Sequence, residues 1–443
     1  MLATWAPGRS VAGVALAGAA AVAVVGTVGG DARWVAAVGA AIAARGHVIS
    51  EIPFASASTA GWHNPLALAE LAFHWLYALD GDRALALSQM GAVATAFLVL
   101  GRDARRAGAS DAGAALALLC LLAGAFPALA VVRLQLFSIA LFPIMLGLLR
   151  EEQRRPSWRI WLAVPLLAVW SNLHGGVVLG LLLALIYLLV DRARVSGVPV
   201  ALAAACACVG ACFLNPAFLG TPSYFLHLFG NELAVQHAGL WRHFSFHHLD
   251  DLVLLVAATV LVVAGRKATH PRWEIVAVVV LAISAADASR GGVWLLAMLV
   301  APAATGLSVR PRPVLWAAVI ASAVSVALVA TIEWPRAPDQ DVIRAAIARA
   351  HGAPILAEGA LAEQVAVDGG RIWAGNPMDA FSRADQRAYL AWLDGKPSGD
   401  RALRHSSLIL VRRDSPAAAR VARAHGAKLV FSSAGALLYV LRR

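Results

Sequence analysis

The sequence predicts an all-α polytopic membrane domain of about eleven transmembrane helices followed by a small α/β soluble domain. Three observations predict it. Of 443 residues, 60% are hydrophobic and only 14% charged, where a soluble domain holds roughly 45–50% and about 25%. Mean hydropathy is +0.71. After residue 333 the pattern changes to Ala-rich helical runs alternating with short β-branched runs. An ordinary water-soluble enzyme, a disordered chain and a disulfide scaffold are excluded.

A spanning helix needs about 20 mostly apolar residues. Candidate segments run over 10–30, 84–101, 110–128, 132–149, 159–172, 175–190, 198–214, 251–264, 274–288, 291–306 and 314–332. The first has the look of a signal peptide, but no polar mature domain follows it, and it reads as a retained anchor. With the N-terminus cytoplasmic, the inside loops hold 15 Lys and Arg and the outside loops 6, which is the bias that sets topology. An odd helix count then puts the C-terminal domain outside. The expected divisions are therefore a transmembrane domain at 1–333, with its first outside loop at 31–83, and an extracytoplasmic α/β domain at 334–443. The expected home is a membrane, crossed many times.

The net charge of +11 divides between the two parts. Residues 1–333 carry 21 Lys and Arg against 16 Asp and Glu, and residues 334–443 carry 16 against 10. The basic residues of the first part sit in short loops, so nucleic acid is not an expected partner. Cys120, Cys206, Cys208 and Cys212 all lie in apolar stretches without redox or zinc spacing, and read as small hydrophobes.

Within the first outside loop, DARWVAAVGAAIAARG has a helical apolar pattern too short to span. It is expected along the membrane interface with Trp34 at headgroup depth. A Ser/Thr/Gly/Pro loop follows, then a short helix from Pro65 to Asp80 carrying Glu70, His74, Trp75 and Tyr77. The second outside region, 215–251, holds five histidines, His227, His237, His243, His247 and His248, without metal-ligand spacing. Pro335 and Pro338 mark the start of the tail.

Charges at membrane boundaries are the informative ones, because burying them is costly unless they pair or work. Asp31 follows the first helix at the outer surface. It is either an ordinary flanking charge or a base able to take a proton from a hydroxyl. Arg133 in FPALAVVRLQLF, with Gln135 nearby, and Arg290 in ADASRGGVW stand at outer helix ends. They either snorkel or hold a lipid phosphate. WSNLHGG interrupts two apolar helices with Asn172 and His174. These residues either satisfy one another in a tight hairpin or hydrogen-bond a polar substrate. No P-loop, HExxH or GxSxG string occurs, which counts against ATP-driven transport and zinc proteolysis.

The run DARW, then Gly39 and Ile42, a lone Gly46, IPFASAS, Trp62 and LALAEL resembles the first outside loop of bacterial membrane glycosyltransferases of the GT-C superfamily. RLQLFS, WSNLHGGVVLG, LNP at 214–216, SRGGVW and the tail string GRIWAGNPMDAF resemble further segments of that group. The likeness covers most of the chain through short motifs. It implies a GT-C-like fold and transfer of a sugar from a polyprenyl-phosphate donor to an extracytoplasmic glycan, lipid or protein acceptor. Asp31 matches the group's loop carboxylate. Arg133 and Arg290 would neutralise the departing phosphate, while Gln135, Asn172, His174 and Glu70 would bind substrate. The group's second Trp and following His are Val35 and Ala36 here, its Asp-Pro-Phe step is Ile52-Pro53-Phe54, its Glu-Trp-Leu step is Leu66-Ala67-Leu68, and the acid before the second-loop Trp is Leu240. Those departures keep two alternatives open: a catalytically degenerate membrane scaffold in envelope assembly, and a glycolipid transporter. No cofactor or protein-held metal is expected, a divalent cation being the one candidate.

Overall fold

A computed structural model describes residues 8–29, 31–236, 241–307, 316, 320 and 339–442. Segment 314–332 is outside the described residues apart from 316 and 320, and His237, Leu240, Pro335 and Pro338 fall outside them entirely. The chain divides into two compact units. One comprises 1–27, 86–215 and 237–333; the other comprises 28–85, 216–236 and 334–443.

The expected count of about eleven spanning helices is overturned. Among the described residues, two helices are long and apolar enough to cross a membrane, Ala67–Arg106 and Asp111–Ala130. The other apolar segments are helical but short or interrupted. Segment 10–30 yields the 17-residue helix Arg9–Val25, ended by extended backbone at Gly26. Segment 159–172 divides into a 3-10 turn, Trp158–Leu162, and the nine-residue helix Ala163–Ser171. Helix Val177–Tyr187 passes into a π-turn at Leu188–Arg192. Val198–Ala211, Leu249–Gly265, Arg272–Asp287 and Gly292–Gly306 have 14, 17, 16 and 15 residues. At 1.5 Å per residue these cover roughly 21–26 Å, less than the ~30 Å hydrocarbon core. Gln135–Arg154 has 20 residues, but Arg150, Glu151, Glu152 and Arg154 occupy its last turns. Apolar composition continues through the glycines and turns that end these helices, so composition overstates their length.

The first unit is helical. Its central helix, Asp111–Ala130, packs against Arg9–Val25, Leu249–Gly265 and Gly292–Gly306. Small residues permit the approach: a Cβ on Gly124 would stand 2.6 Å from that of Ala257 and 2.7 Å from Leu296 Cδ1. Gln135–Arg154, Ala163–Ser171, Val177–Tyr187 and Val198–Ala211 form a neighbouring group. Arg150, buried at the end of Gln135–Arg154, binds Asp103 at 2.7 Å, Glu274 at 2.8 Å and the Met298 carbonyl at 2.7 Å.

The second unit has a four-stranded mixed sheet built from β1 (Ile355–Ala357), β2 (Leu408–Arg412), β3 (Ala427–Ser432) and β4 (Ala436–Leu441). The order is β1-β2-β4-β3, with β1 and β2 parallel and the other two pairs antiparallel. The fully buried β1 and the burial of four of β2's five residues explain their continuous apolar runs. Residues of the first long loop complete this unit. Ile372 N–H donates to the Phe54 carbonyl and the Ile372 carbonyl accepts from Ser56 N–H, both at 2.9 Å. Ala55 thereby bridges Ile372 in parallel register.

Trp34 departs from its expected place at headgroup depth. It is 1% exposed, shares one apolar core with Ile355, Leu361, Ile372 and Trp373, and meets the Phe54 ring edge-on at 4.6 Å. The apolar stripe of helix Ala32–Arg45 finds protein where lipid is expected. Gly39 on that helix faces helix Ala67–Arg106, and a Cβ there would lie 2.0 Å from the Glu70 carbonyl oxygen. Gly39→Val is therefore expected to destabilise the protein by at least about 1–3 kcal/mol, read as a lower midpoint in thermal unfolding. An unchanged midpoint would show that this contact relaxes freely.

Candidate functional site

In the helical unit the polar groups gather at the turn of WSNLHGG. Trp170 Nε1 donates to Ser138 Oγ at 2.7 Å, and Ser138 Oγ lies 2.6 Å from His174 Nδ1. Gly176 N–H also donates to His174 Nδ1, at 3.1 Å. A nitrogen that accepts from a backbone N–H carries no proton, so Ser138 donates its hydroxyl proton to it as well. The imidazole is thereby fixed as the neutral tautomer with its proton on Nε2. Burial first, then the charges of Arg290 and Arg133, push the His174 pKa down to about 3.

Arg133 sits just ahead of helix Gln135–Arg154, with its Nε buried and without a hydrogen-bond partner among the described residues. The Arg290 guanidinium lies over the Trp241 ring, 3.3 Å from its centroid, a cation–π contact that holds it in place. Gln135 is buried at the first helical position. Asn172 is used internally: its Nδ2 donates to the carbonyls of Ala168 at 2.8 Å and Leu214 at 2.6 Å. It ties the turn to the end of helix Val198–Ala211. Two guanidiniums and an imidazole N–H form a donor set suited to phosphate oxygens.

The α/β unit holds a second set of polar groups, among them Tyr224. Asp31 occupies the N-cap position of helix Ala32–Arg45, yet its side chain makes no capping hydrogen bond. Glu70 is 4% exposed and accepts from Asn64 Nδ2 at 2.6 Å. Asp379 Oδ2 accepts from Trp62 Nε1 at 3.4 Å. Burial raises the Tyr224 pKa well above the usual phenol value, and the charges of Asp379, Glu70 and Asp31 raise it further. Burial likewise raises Asp379, opposed by its own backbone N–H, the Trp62 indole and the charge of His227.

The structure thus places Arg133, Arg290 and His174 in the helical unit, and Asp31, Glu70 and Tyr224 in the α/β unit. Sequence reasoning passed over Ser138, Asn64, Tyr224 and Asp379. Ser138 and Asp379 stand inside strings already singled out, RLQLFS and GRIWAGNPMDAF, whereas nothing in the local sequence marks Tyr224. Among the described residues, no group of three or more His, Cys, Asp or Glu could hold a metal ion. No protein-family model matches the chain, and no curated protein matches it.

Proposed function

We propose that this chain is a membrane glycosyltransferase that moves a sugar from a polyprenyl-phosphate donor to an extracytoplasmic acceptor. The observation that carries the reading is the pair of hydrogen bonds that leaves His174 a neutral Nε2–H donor, in the same helical unit as Arg133 and the Trp241-stacked Arg290. An acceptor hydroxyl attacks the anomeric carbon, and the bond from that carbon to the phosphate oxygen breaks. The phosphate leaves with the bonding pair, which the two guanidiniums and the imidazole N–H stabilise. The role of taking the hydroxyl proton is assigned to Asp31 on its match to the family's loop carboxylate.

A multi-pass location in a bacterial plasma membrane accompanies this reading, with a cytoplasmic N-terminus and an extracytoplasmic α/β unit. Two long apolar helices support membrane association. So do the exposed Val256, Val260 and Val263 of helix Leu249–Gly265 and Ile275, Val279 and Ile283 of helix Arg272–Asp287. Large apolar surfaces of this kind are rare on soluble monomers.

The test is Asp31→Asn in membranes supplied with a polyprenyl-phosphate sugar. Transfer is expected to fall by roughly 10²–10⁴-fold, with donor binding unchanged. Undiminished transfer at equal protein level removes Asp31 from the mechanism.

A further inference from the structure

An exposed apolar stripe runs along the segment RRPSWRIWLAVPLLAV. It starts in the 3-10 turn Trp158–Leu162 and continues on helix Ala163–Ser171. Trp158, Trp161, Leu162, Pro165 and Val169 are exposed, spaced so that they return to one helix face. On the other side Ile160, Ala163, Leu167 and Trp170 are buried.

The first turn of the stripe is held from beneath. Ser157 Oγ donates to Glu152 Oε1, and Ser157 N–H donates to Glu152 Oε2 at 2.9 Å. Arg192 donates to the same Oε2 at 3.3 Å and to the Ser157 carbonyl at 2.9 Å. Glu152 and Arg192 are both buried. Arg159 N–H donates to Ser157 Oγ at 3.1 Å. The pinned turn buries Ile160 and leaves Trp158 71% exposed. An indole held outward forgoes the burial that a Trp ordinarily gains, which points to a covering surface outside the chain. Two cations stand beside it. Arg155 and Arg159 are exposed, and neither guanidinium makes a hydrogen bond or ion pair among the described residues. The adjacent carboxylates are already engaged, Glu151 by Arg106 at 3.1 Å and Arg154 at 3.5 Å, and Glu152 by Arg192.

The order of groups selects the covering surface. One end of the stripe is aliphatic, the middle is indole and the far end is cationic. A bilayer leaflet presents the matching series of acyl chain, interface and anionic headgroup. A protein partner would need about one hydrogen bond per 100–200 Å² of contact, and from Trp161 to Val169 the stripe offers only one indole N–H. We propose that Trp158, Trp161 and Leu162 seat in the membrane interface, and that Arg155 and Arg159 hold the phosphate of an anionic phospholipid there. This rests on the membrane part of the proposed function and is independent of sugar transfer.

Full-length protein carrying 5-fluorotryptophan is placed in phosphatidylcholine nanodiscs, and Trp158→Phe and Trp161→Phe assign the two fluorine resonances. A nitroxide carried on the lipid near its headgroup should broaden both, and a water-soluble nitroxide much less. Replacing part of the phosphatidylcholine by phosphatidylglycerol should shift the Trp158 resonance to a plateau, whereas added inorganic phosphate should leave it in place. Arg155→Gln and Arg159→Gln should each raise the phosphatidylglycerol fraction required about fivefold, while Arg159→Lys keeps most of the response. Both arginines are exposed, so unchanged melting midpoints are expected to accompany these losses. Broadening by the aqueous nitroxide alone puts the stripe in water and overturns the proposal. A resonance blind to phosphatidylglycerol overturns it too, as does an equal shift with inorganic phosphate or a full response in both glutamine variants. Co-elution of protein with the nanodisc judges membrane association separately. A chain that stays with the disc while Trp158 meets water sinks this inference alone, and a chain that leaves the disc sinks the membrane reading with it.

Discussion

Arg150→Met is expected to destabilise the helical unit by about 3–5 kcal/mol, the usual effect of removing one member of a buried ion pair. Arg150 is 3% exposed and lies between Asp103, 5% exposed, and Glu274, 8% exposed. Its Nη1 donates to Asp103 at 2.7 Å, its Nε to Glu274 at 2.8 Å, and its Nη2 to the Met298 carbonyl at 2.7 Å. One guanidinium thus joins residues from four helices. Arg154 also reaches Asp103, at 2.9 Å, so Asp103 keeps a partner in the variant. Glu274 loses both hydrogen bonds that Arg150 gives it. A buried carboxylate without a counter-charge accounts for most of the expected loss. Methionine fills much of the arginine's apolar volume, so the change reports charge more than packing. Denaturation of purified protein in nanodiscs supplies the measurement. Adding Glu274→Gln to Arg150→Met should recover a substantial part of the loss, since the orphaned charge is then gone. A single variant as stable as the wild type, or a double variant no better than the single, would refute this account.

Arg150 also illustrates what a sequence reveals and what it conceals. As a letter it reads as a basic residue in a cytoplasmic loop, counted toward topology. In the fold it is the centre of a buried network, because Asp103 and Glu274 lie 47 and 124 residues away. No local pattern announces such partners. Apolar periodicity located the helix Asp111–Ala130 almost to the residue, since a continuous apolar run bounded by Ser110 and a turn leaves little choice. The same reading failed on length wherever an apolar run continues through a break, as at Leu188–Arg192. Trp34 was misread for a related reason: an amphipathic helix advertises an apolar face but not what covers it. The candidate sites divide along the same line. Arg133, His174 and Arg290 stand out because charge and imidazole are conspicuous in apolar surroundings. Tyr224 is inconspicuous in its own stretch, and the carboxylates whose charge acts on it belong to residues 31, 70 and 379.

Loss of both guanidiniums at His174 should be the largest functional effect. Removing a single preorganised donor to a developing oxyanion costs about 10²–10³-fold in turnover. Arg133→Ala with Arg290→Ala should exceed either single change, though by less than the product, because both act on one phosphate. Polyprenyl-phosphate binding should fall in parallel. The pH dependence gives a sharper test. His174 is held near a pKa of about 3 by burial and by the two cations, so it stays neutral between about pH 5 and 8, where a free histidine would titrate. A sugar-phosphate diester has no second ionisation, and its binding should be flat across that range. The product, a lipid phosphate monoester, loses its second proton near about pH 6, and its binding should strengthen as pH rises through that point. Protonation of His174 at an ordinary pKa would do the reverse and strengthen both ligands on acidification. That outcome, or retention of binding in the double variant, would defeat the phosphate site. Stability carries the same signature. The folded protein keeps His174 neutral while the unfolded chain protonates it below about pH 6.5, so this group's contribution falls as pH drops from there toward its folded value. Arg290→Ala removes one of the two cations, raises the His174 pKa and should narrow that acid-sensitive window, which NMR titration of the ring resonances would report directly.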